Sequence, residues 1–469
     1  MNDLREQRTD QAEDLHRNQE SWSCVDRGYW AAYQPCTLHI HAKSIMDLTP
    51  EFDDVTPRAI STHAHEYVHY LHSIGTAAGQ AYLLGNIVLL RNLVPGTDAN
   101  GHFLGMESLE EDQRGWVRSA LGLMQAIRGR SPKTLGGLGL RGWTFSTPQA
   151  SPAKHTGDIK VTHLTVTCSA IKPDGRPVSG EVAIGYSFVT EGVAYEVDRG
   201  IRRLQGVAEE ALDEGVPSYP YLTYGKLVDS WVGRATTPQE RVLLGNAALG
   251  DFSVGPALWR ACVALRASNL PVVEALKSIF AEGSQRSHAA TDALRNTIAS
   301  VGAGPIVTAG LESYLVLVDR ANYCREHLLA PELLLLEKPL DVEGLWMVMG
   351  NLVDAMVLQD KPGNQLDIYW IGPGLVAQDM DQVSQLAAVQ SAFHFNHLHH
   401  LIEGNLRSTA SIGKVVCRYK GACGVEVSVS QAELCSTAPW MNFIDSPPGS
   451  QVCWYAAGVK AVRRDEAGP

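Results

Sequence analysis

The alternation of apolar and polar residues first predicts structure at residues 37–42, where Thr-Leu-His-Ile-His-Ala fits an edge strand. A helix is predicted next, because Thr56 and Pro57 supply a capping hydroxyl followed by proline at the first helical position. Gly75 is predicted to end it, ahead of a second apolar helix over Ala77–Leu93. Apolar residues of the first helix recur at helical spacing at Ile60, Ala64, Val68 and Leu71.

The middle of the chain changes from irregular to alternating. Residues 130–158 are rich in Gly, Ser, Pro and Thr, and two alternating stretches then flank residues 172–175. These stretches, Ile159–Ile171 and Val178–Tyr186, predict a β-hairpin around the Lys-Pro-Asp-Gly turn. An amphipathic helix is predicted over residues 188–204. The side opposite its apolar stripe carries Glu191, Tyr195 and Asp198.

The second half of the chain is predicted to be mainly helical. Thr-Pro-Gln-Glu from Thr237 is a capping box with proline at the first helical position, and helical periodicity continues to about Leu336. A further long helix is predicted over Met380–Glu403, and the tail from Cys417 is loop-rich. No internal repeat is visible.

These patterns predict an α+β protein that is predominantly helical. We expect four parts: a charged, partly mobile arm (residues 1–25), a metal-binding lobe with a small strand element (26–235), a helical lobe (236–410) and a cysteine-bearing C-terminal tail (411–469).

Composition, net charge and cysteine count indicate which partners and which cellular compartment to expect. The chain of 469 residues is 45% hydrophobic and 19% charged, which is typical of a globular protein. Its net charge of −12 disfavours nucleic acid as a partner. Residues 1–20 contain no apolar stretch, so we expect neither a signal peptide nor a membrane anchor. The nine cysteines favour free thiols or metal ligands over a disulfide framework, and we expect a cytoplasmic protein.

The first predicted helix carries the motif His65-Glu66-Tyr67-Val68-His69. Two histidines four residues apart on a helix project about 40° apart, so both imidazoles can bind one ion. Glu66 follows the first ligand, where its carboxylate can accept a proton from a water activated by the metal. This is the arrangement of the HExxH zinc site.

The alternative is that both histidines are hydrogen-bonded core residues. A chain with 16 histidines matches HExxH by chance with a probability of roughly a few percent. The flanking residues are apolar or aromatic, which predicts a buried helix. Buried histidines and a buried glutamate need partners, and one metal ion satisfies all three at once.

The third ligand separates the classes of zinc peptidase. The metzincin extension needs glycine and histidine three and six residues after the second histidine, where this chain has His72 and Gly75. His72 lies roughly 10 Å along the helix from His65, too far for both to bind one ion, so we expect it to contact a metal ligand or to face the substrate.

Glu191, within Thr-Glu-Gly-Val-Ala-Tyr, is the best candidate, and Gly192 and Ala194 would permit close helix packing. With the HEYVH helix, this segment resembles the gluzincin-like metallopeptidases, which pair HExxH with a downstream glutamate. The resemblance covers two helices and implies a peptidase with Zn²⁺ held by His65, His69 and Glu191. The separation of 122 positions between His69 and Glu191 is long for that class and implies an insertion.

Glu191 could instead be a solvated helix residue, and Glu196, about 140° away around the helix, is a weaker candidate ligand. A peptidase also needs a donor to the oxyanion, and Tyr219, Tyr221 and Tyr224 follow the second motif. Of these we select Tyr221; the alternative is that the tyrosines pack a loop.

The late helix and the tail hold further candidates. His394, His397, His399 and His400 cluster on the predicted late helix, and His394 is a second catalytic candidate. Core or solvated histidines are the alternative. Cys417, Cys423, Cys435 and Cys453 contain no CxxC knuckle and could be buried thiols or a second metal site.

The sequence thus predicts a zinc metallopeptidase acting on a peptide or protein substrate, with Glu66 as general base. A helical scaffold with a structural metal site is the alternative. A closed structural site has no use for a glutamate beside the first histidine.

Overall fold

The structure is a computed structural model that describes residues 31–34, 38–48, 57–151, 155–156, 159–361, 365–371, 380–401, 405–423, 429–442 and 453–463. The predicted charged arm and the capping residue Thr56 lie outside the described residues.

The N-terminal part begins with two short strands and three helices. In chain order they are β1 (Ala31–Gln34), β2 (His39–Ala42), α1 (Pro57–Gly75), α2 (Ala77–Leu93) and α3 (Glu111–Arg128). The predicted helices α1 and α2 and the break between them are confirmed. Thr76 makes that break, because its hydroxyl accepts the Gly79 amide and caps α2. Helix α3 has no counterpart in the sequence prediction.

Six strands follow, of which the last two form the predicted hairpin. They are β3 (Arg141–Phe145), β4 (Gln149–Ser151), β5 (His155–Thr156), β6 (Ile159–Lys160), β7 (His163–Ile171) and β8 (Pro177–Ile184). Strands β7 and β8 pair antiparallel from Leu164 opposite Ile184 to Ile171 opposite Pro177. The hairpin prediction is confirmed.

The next segment is helical, as predicted for residues 188–204 and from Thr237 to about Leu336; its helices over 209–232 and 342–352 were not predicted. It contains α4 (Tyr186–Leu204), α5 (Glu209–Leu212), a single π turn (Ser218–Leu222), α6 (Thr223–Val232), α7 (Pro238–Leu249), α8 (Val254–Ala267), α9 (Val272–Ile298), α10 (Pro305–Leu328), a 3₁₀ helix (Pro331–Leu336) and α11 (Val342–Leu352). The capping box is present: Thr237 and Glu240 each accept the other's backbone amide.

The C-terminal part contains two strands, a long helix and short elements. They are β9 (Ala355–Lys361), β10 (Gln365–Ile371), α12 (Met380–Leu398), β11 (His400–Leu401), β12 (Asn405–Leu406), α13 (Val429–Thr437) and α14 (Trp454–Lys460). Helix α12 ends five residues before the predicted end at Glu403. The prediction that His399 and His400 are helical is therefore wrong, because the chain turns at His399 and enters β11 at His400.

A four-stranded sheet has the order β1-β2-β9-β10. Strand β2 pairs antiparallel with β1 and parallel with β9, so it is an interior strand and the expected edge position is wrong. The reason is distant in sequence: β9 is apolar and buried from Ala355 to Leu358, and its pairing with β2 was not predicted. The α+β class with mostly helical content is confirmed.

Helix α1 runs through the centre of the core, which fixes the position of the HEYVH motif. Tyr67, Val68 and Leu71 are buried. The Tyr67 hydroxyl contacts two carbonyls, Met349 O at 3.0 Å and Val353 O at 2.8 Å, and accepts the Val353 amide. These contacts anchor α1 to the junction between α11 and β9. One face of α1 is thereby fixed against the sheet region while another packs on α4.

Within the described residues, no single helix has both the length and the hydropathy to cross a membrane; α1 and α2 satisfy the two criteria only when counted together as a bent pair.

Candidate metal centre

His65 and His69 lie one turn apart on α1, and their imidazoles meet where this helix packs against α4. Their Nε2 atoms are 3.1 Å apart, and the ring centroids are 4.8 Å apart with the rings edge to face. At this separation the two nitrogens cannot both carry a proton facing the other. Either one donates to the other, or both offer lone pairs to a shared cation.

Helix α4 brings Glu191 to the same point. Its Oε2 lies 3.4 Å from Nε2 of His69 and 3.6 Å from Nε2 of His65. Across the parts of the chain that the structure describes, this is the only group of three or more His, Cys, Asp or Glu whose ligand atoms all lie within 4.8 Å of one another. The structure therefore brings together the three residues that the sequence predicts as ligands.

Gly192 sets the position of the helix that carries Glu191. A Cβ at Gly192 would lie 2.1 Å from Cγ of Tyr224 on α6, closer than atoms can pack. Glycine is thus required for α4 to approach α6, and this contact fixes the rotation of α4 that turns Glu191 toward α1. The close helix packing expected at Gly192 is confirmed.

The electrostatics of the group fit a cation. Burial alone would raise the pKa of Glu191, but the His69 and His65 imidazoles hold it well below its ordinary value. Burial also disfavours charge on His65, yet the carboxylates of Glu191 and Glu66 raise the pKa of His65 to about 9. The carboxylates of Glu191 and Glu66 thus favour positive charge at this point of the structure.

The donor atoms also match zinc. The Glu191 side chain is 34% exposed, so solvent reaches the site, but its Oε2 is buried and makes no hydrogen bond within the described residues. Two imidazole nitrogens and one carboxylate oxygen form one of the donor sets of catalytic zinc sites, in which a fourth position stays open. The residues present therefore fit Zn²⁺.

Glu66 is buried beside the ligand group and has a defined partner. The backbone amide of Tyr33 in β1 donates to Glu66 Oε2 at 2.5 Å. This bond orients the carboxylate, and the negative charge of Glu66 contributes to the raised pKa of His65. The predicted base thus lies within electrostatic reach of the first ligand.

Among the three tyrosines that follow the second motif, Tyr221 lies near the candidate metal ligands. Its ring centroid is 6.0 Å from that of His65 and 5.4 Å from that of Tyr195. The other two hydroxyls have partners elsewhere: Tyr219 bonds the Ser131 hydroxyl, and Tyr224 donates to Arg241 O.

His394 is not part of this group. Its Nδ1 lies 2.7 Å from the Tyr455 hydroxyl, in the interface between α12 and α14. Burial, together with Arg418 and His397, lowers the pKa of His394 well below its usual value. The structure therefore gives this residue the environment of a neutral core histidine.

The four cysteines of the tail are neighbours but form no tight cluster. All four are free thiols. Burial is the main cause of the raised pKa of Cys417, and Cys453, Cys435 and Cys423 make smaller contributions. No three of their sulfur atoms lie within 4.8 Å of one another in the described residues.

Sequence reasoning missed the residues behind His69. Thr190 bonds Nδ1 of His69 at 3.0 Å and Nδ1 of His72 at 2.7 Å, and Glu332 lies on the far side of His72. His72, expected to contact a metal ligand or to face the substrate, is fully buried, and the Thr190 hydroxyl lies between it and His69. Thr190 stands next to Glu191 in sequence, which is the only local signal; nothing in the sequence pointed to Glu332.

No family model, no curated protein and no solved structure matches this chain. The functional assignment therefore depends on the site itself.

Proposed function

We propose that this protein is a zinc-dependent metallohydrolase, a peptidase in which α1 and α4 form a zincin-like, gluzincin-type centre. The observation that carries the proposal is the convergence of His65, His69 and Glu191 on one point, with Glu66 directly following the first histidine. His65, His69 and Glu191 would hold the ion.

Zinc bound there would polarise a substrate carbonyl and lower the pKa of a water molecule toward about 7. Glu66 accepts a proton from the attacking water and then delivers it to the nitrogen as the carbon–nitrogen bond breaks. One water is consumed, and a carboxylic acid and an amine are released. The Tyr33 amide occupies Oε2 of Glu66, so Oε1 is the oxygen that carries the proton.

Tyr221 is the donor that we assign to the negative charge developing on the carbonyl oxygen. Its place beside His65 puts a phenol at the rim of the metal group, and a hydroxyl donor is suited to this role. The choice of a peptide bond over other acyl substrates is based on the resemblance of the two motif helices to gluzincins.

The second candidate function is a scaffold with a structural metal. The bond between the Tyr33 amide and Glu66 is the observation that favours it, because it gives Glu66 a structural partner. The two candidates differ in what replacement of Glu66 does: a structural glutamate affects folding, whereas a general base affects turnover.

The test compares wild type with Glu66→Gln, which keeps the shape of the side chain and removes the base. Each protein is incubated with peptides prepared from a cell extract, and new termini are identified by mass spectrometry with and without a zinc chelator. We expect chelator-sensitive cleavage by wild type, and zinc retention with roughly 10²- to 10⁴-fold slower cleavage by Glu66→Gln. Glu181→Gln, an exposed change on β8, is the control and should match wild type.

Equal cleavage by wild type and Glu66→Gln would contradict the assigned role of Glu66. Absence of chelator-sensitive cleavage from a wild type that holds zinc would favour the scaffold.

A further inference from the structure

A chain of polar side chains leads from the candidate metal ligands, His65, His69 and Glu191, into the core. Thr190 Oγ1 lies 3.0 Å from Nδ1 of His69 and 2.7 Å from Nδ1 of His72. Nε2 of His72 is 3.3 Å from Oε1 of Glu332, and that oxygen accepts a hydrogen bond from Nη2 of Arg325 at 2.5 Å. We refer to His69, Thr190, His72, Glu332 and Arg325 as the buried relay.

The chemistry of a hydroxyl gives the relay a direction. Thr190 has one proton, so it can donate to only one of the two imidazoles that contact its oxygen and must accept from the other. If Nε2 of His69 offers a lone pair to a metal, Nδ1 of His69 carries the proton and donates to Thr190. The Thr190 hydroxyl then donates to Nδ1 of His72, which leaves the His72 proton on Nε2, facing Glu332.

The far end of the relay supports this direction. Burial would raise the pKa of Glu332, but Arg325 and His72 lower it to about 2, so Glu332 is an ionised acceptor for the His72 proton. Burial is also the main reason that the pKa of His72 falls to about 4, so the imidazole stays neutral with a single proton. Arg325 is held in turn by Asn246 Oδ1 at 2.5 Å and by the carbonyl of Leu71 on α1.

Burial limits which atoms of the relay can carry a proton. His72 and Glu332 have no exposed surface, and Thr190 is 5% exposed. A reversed hydroxyl would point a donor at a protonated nitrogen and leave a buried donor or acceptor unpaired, which is destabilising. The ionised end of the relay therefore favours this arrangement of protons, and the Tyr186 hydroxyl is a further neighbour of Thr190.

We propose that Thr190 is a positioning residue that keeps His69 in the tautomer with its proton on Nδ1 and its Nε2 lone pair toward the metal. The proposal rests on the metal site of the proposed function but does not require hydrolysis. Histidine ligands commonly have such partners on their second nitrogen, and loss of the partner typically weakens metal binding 10- to 100-fold.

The experiment uses Co²⁺ as a spectroscopic probe of the full-length protein. Thr190→Val removes the hydroxyl at nearly constant volume, and Thr190→Ser retains it. We expect Thr190→Val to bind Co²⁺ about 10- to 100-fold more weakly than wild type, with an altered visible ligand-field spectrum. Thr190→Ser should restore both the affinity and the spectrum.

Thr291→Val is the matched control, because the Thr291 hydroxyl is also buried but bonds Gln80 Oε1 and the Ser287 carbonyl, away from the metal group. It should lower stability and leave Co²⁺ affinity and spectrum unchanged. If Thr190→Val does not fold, Thr190→Ala replaces it in the same comparison with Thr190→Ser.

Wild-type affinity and spectrum in a folded Thr190→Val or Thr190→Ala would overturn the positioning role while leaving the metal site intact. A wild type that takes up no Co²⁺ would contradict the metal site and the relay together. A wild type that binds Co²⁺ and shows the expected Thr190 pattern, yet cleaves nothing, would contradict only the proposed hydrolysis.

Discussion

Replacement of Gly192 by alanine should both destabilise the protein and weaken metal binding. The new Cβ would lie 2.1 Å from Cγ and 2.5 Å from Cβ of Tyr224, where ordinary contact begins at 3.4 Å. Tyr224 is fully buried and its hydroxyl is bonded to Arg241 O at 2.7 Å, so the ring has no free space to enter. Helix α4 must therefore move by about 1 Å, and overpacking of this kind costs about 1 to 3 kcal/mol.

The same movement affects Glu191, the next residue on α4. Metal–ligand distances tolerate deviations of only about 0.2 Å, so a shift of this size should weaken zinc binding by about 10- to 100-fold. The assay is denaturant unfolding of the metal-free protein together with competition against a chelator of known affinity. The two readouts separate the packing cost from the displacement of the ligand.

Gly122→Ala on α3 is the matched control, because a Cβ at Gly122 meets no atom within 4 Å. Alanine there should stabilise the protein by about 0.4 to 1 kcal/mol and leave zinc affinity unchanged. If Gly192→Ala were as stable as Gly122→Ala and bound zinc like wild type, the described packing of α4 on α6 would be wrong.

Two further predictions concern the ligand choice and acid stability. Glu191→Gln should lose tightly bound zinc. Glu196→Gln should retain zinc and lose roughly 1 to 3 kcal/mol of stability, because Glu196 is buried with its carboxylate 2.8 Å from Arg241. The reverse pattern in zinc content would make Glu196 the ligand. Burial lowers the pKa of His399 to about 3, below the value of about 6.5 in the unfolded chain, so the folded state loses stability as pH falls below about 6.5. The loss of unfolding free energy due to His399 should reach about 2 to 3 kcal/mol at pH 4.5. His399→Gln should reduce the difference in unfolding free energy between pH 7 and pH 4.5 by that amount. An unchanged difference would exclude His399 as a source of acid instability.

Local patterns predicted the elements whose structure depends on nearby residues. Helices α1 and α2, the break at Gly75, the β7–β8 hairpin and the capping box at Thr237 all follow from spacing, turn residues and caps within a few positions. Strand β9 does not, because its place beside β2 is decided by a pairing across some 300 residues. The same pairing makes β2 an interior strand.

The candidate site divides in the same way. His65 and His69 could be located from helical spacing, and Glu191 from its place opposite an apolar stripe. Thr190 and Glu332 could not, because their importance lies in contacts of side chains that only the packed helices bring together. Sequence neighbours on a helix are predictable from geometry, whereas the hydrogen-bond partners of a buried histidine depend on the whole core.

The central claim is that His65, His69 and Glu191 hold one zinc ion with an open position toward Glu66. Anomalous diffraction at the zinc absorption edge from crystals of the zinc-loaded protein tests it most directly. We predict a peak about 2.0 to 2.1 Å from both histidine Nε2 atoms and about 2.0 to 2.2 Å from a Glu191 oxygen, with solvent density between the peak and Glu66. A zinc peak elsewhere with none at these three residues, or a fourth protein ligand closing the site, would contradict the claim.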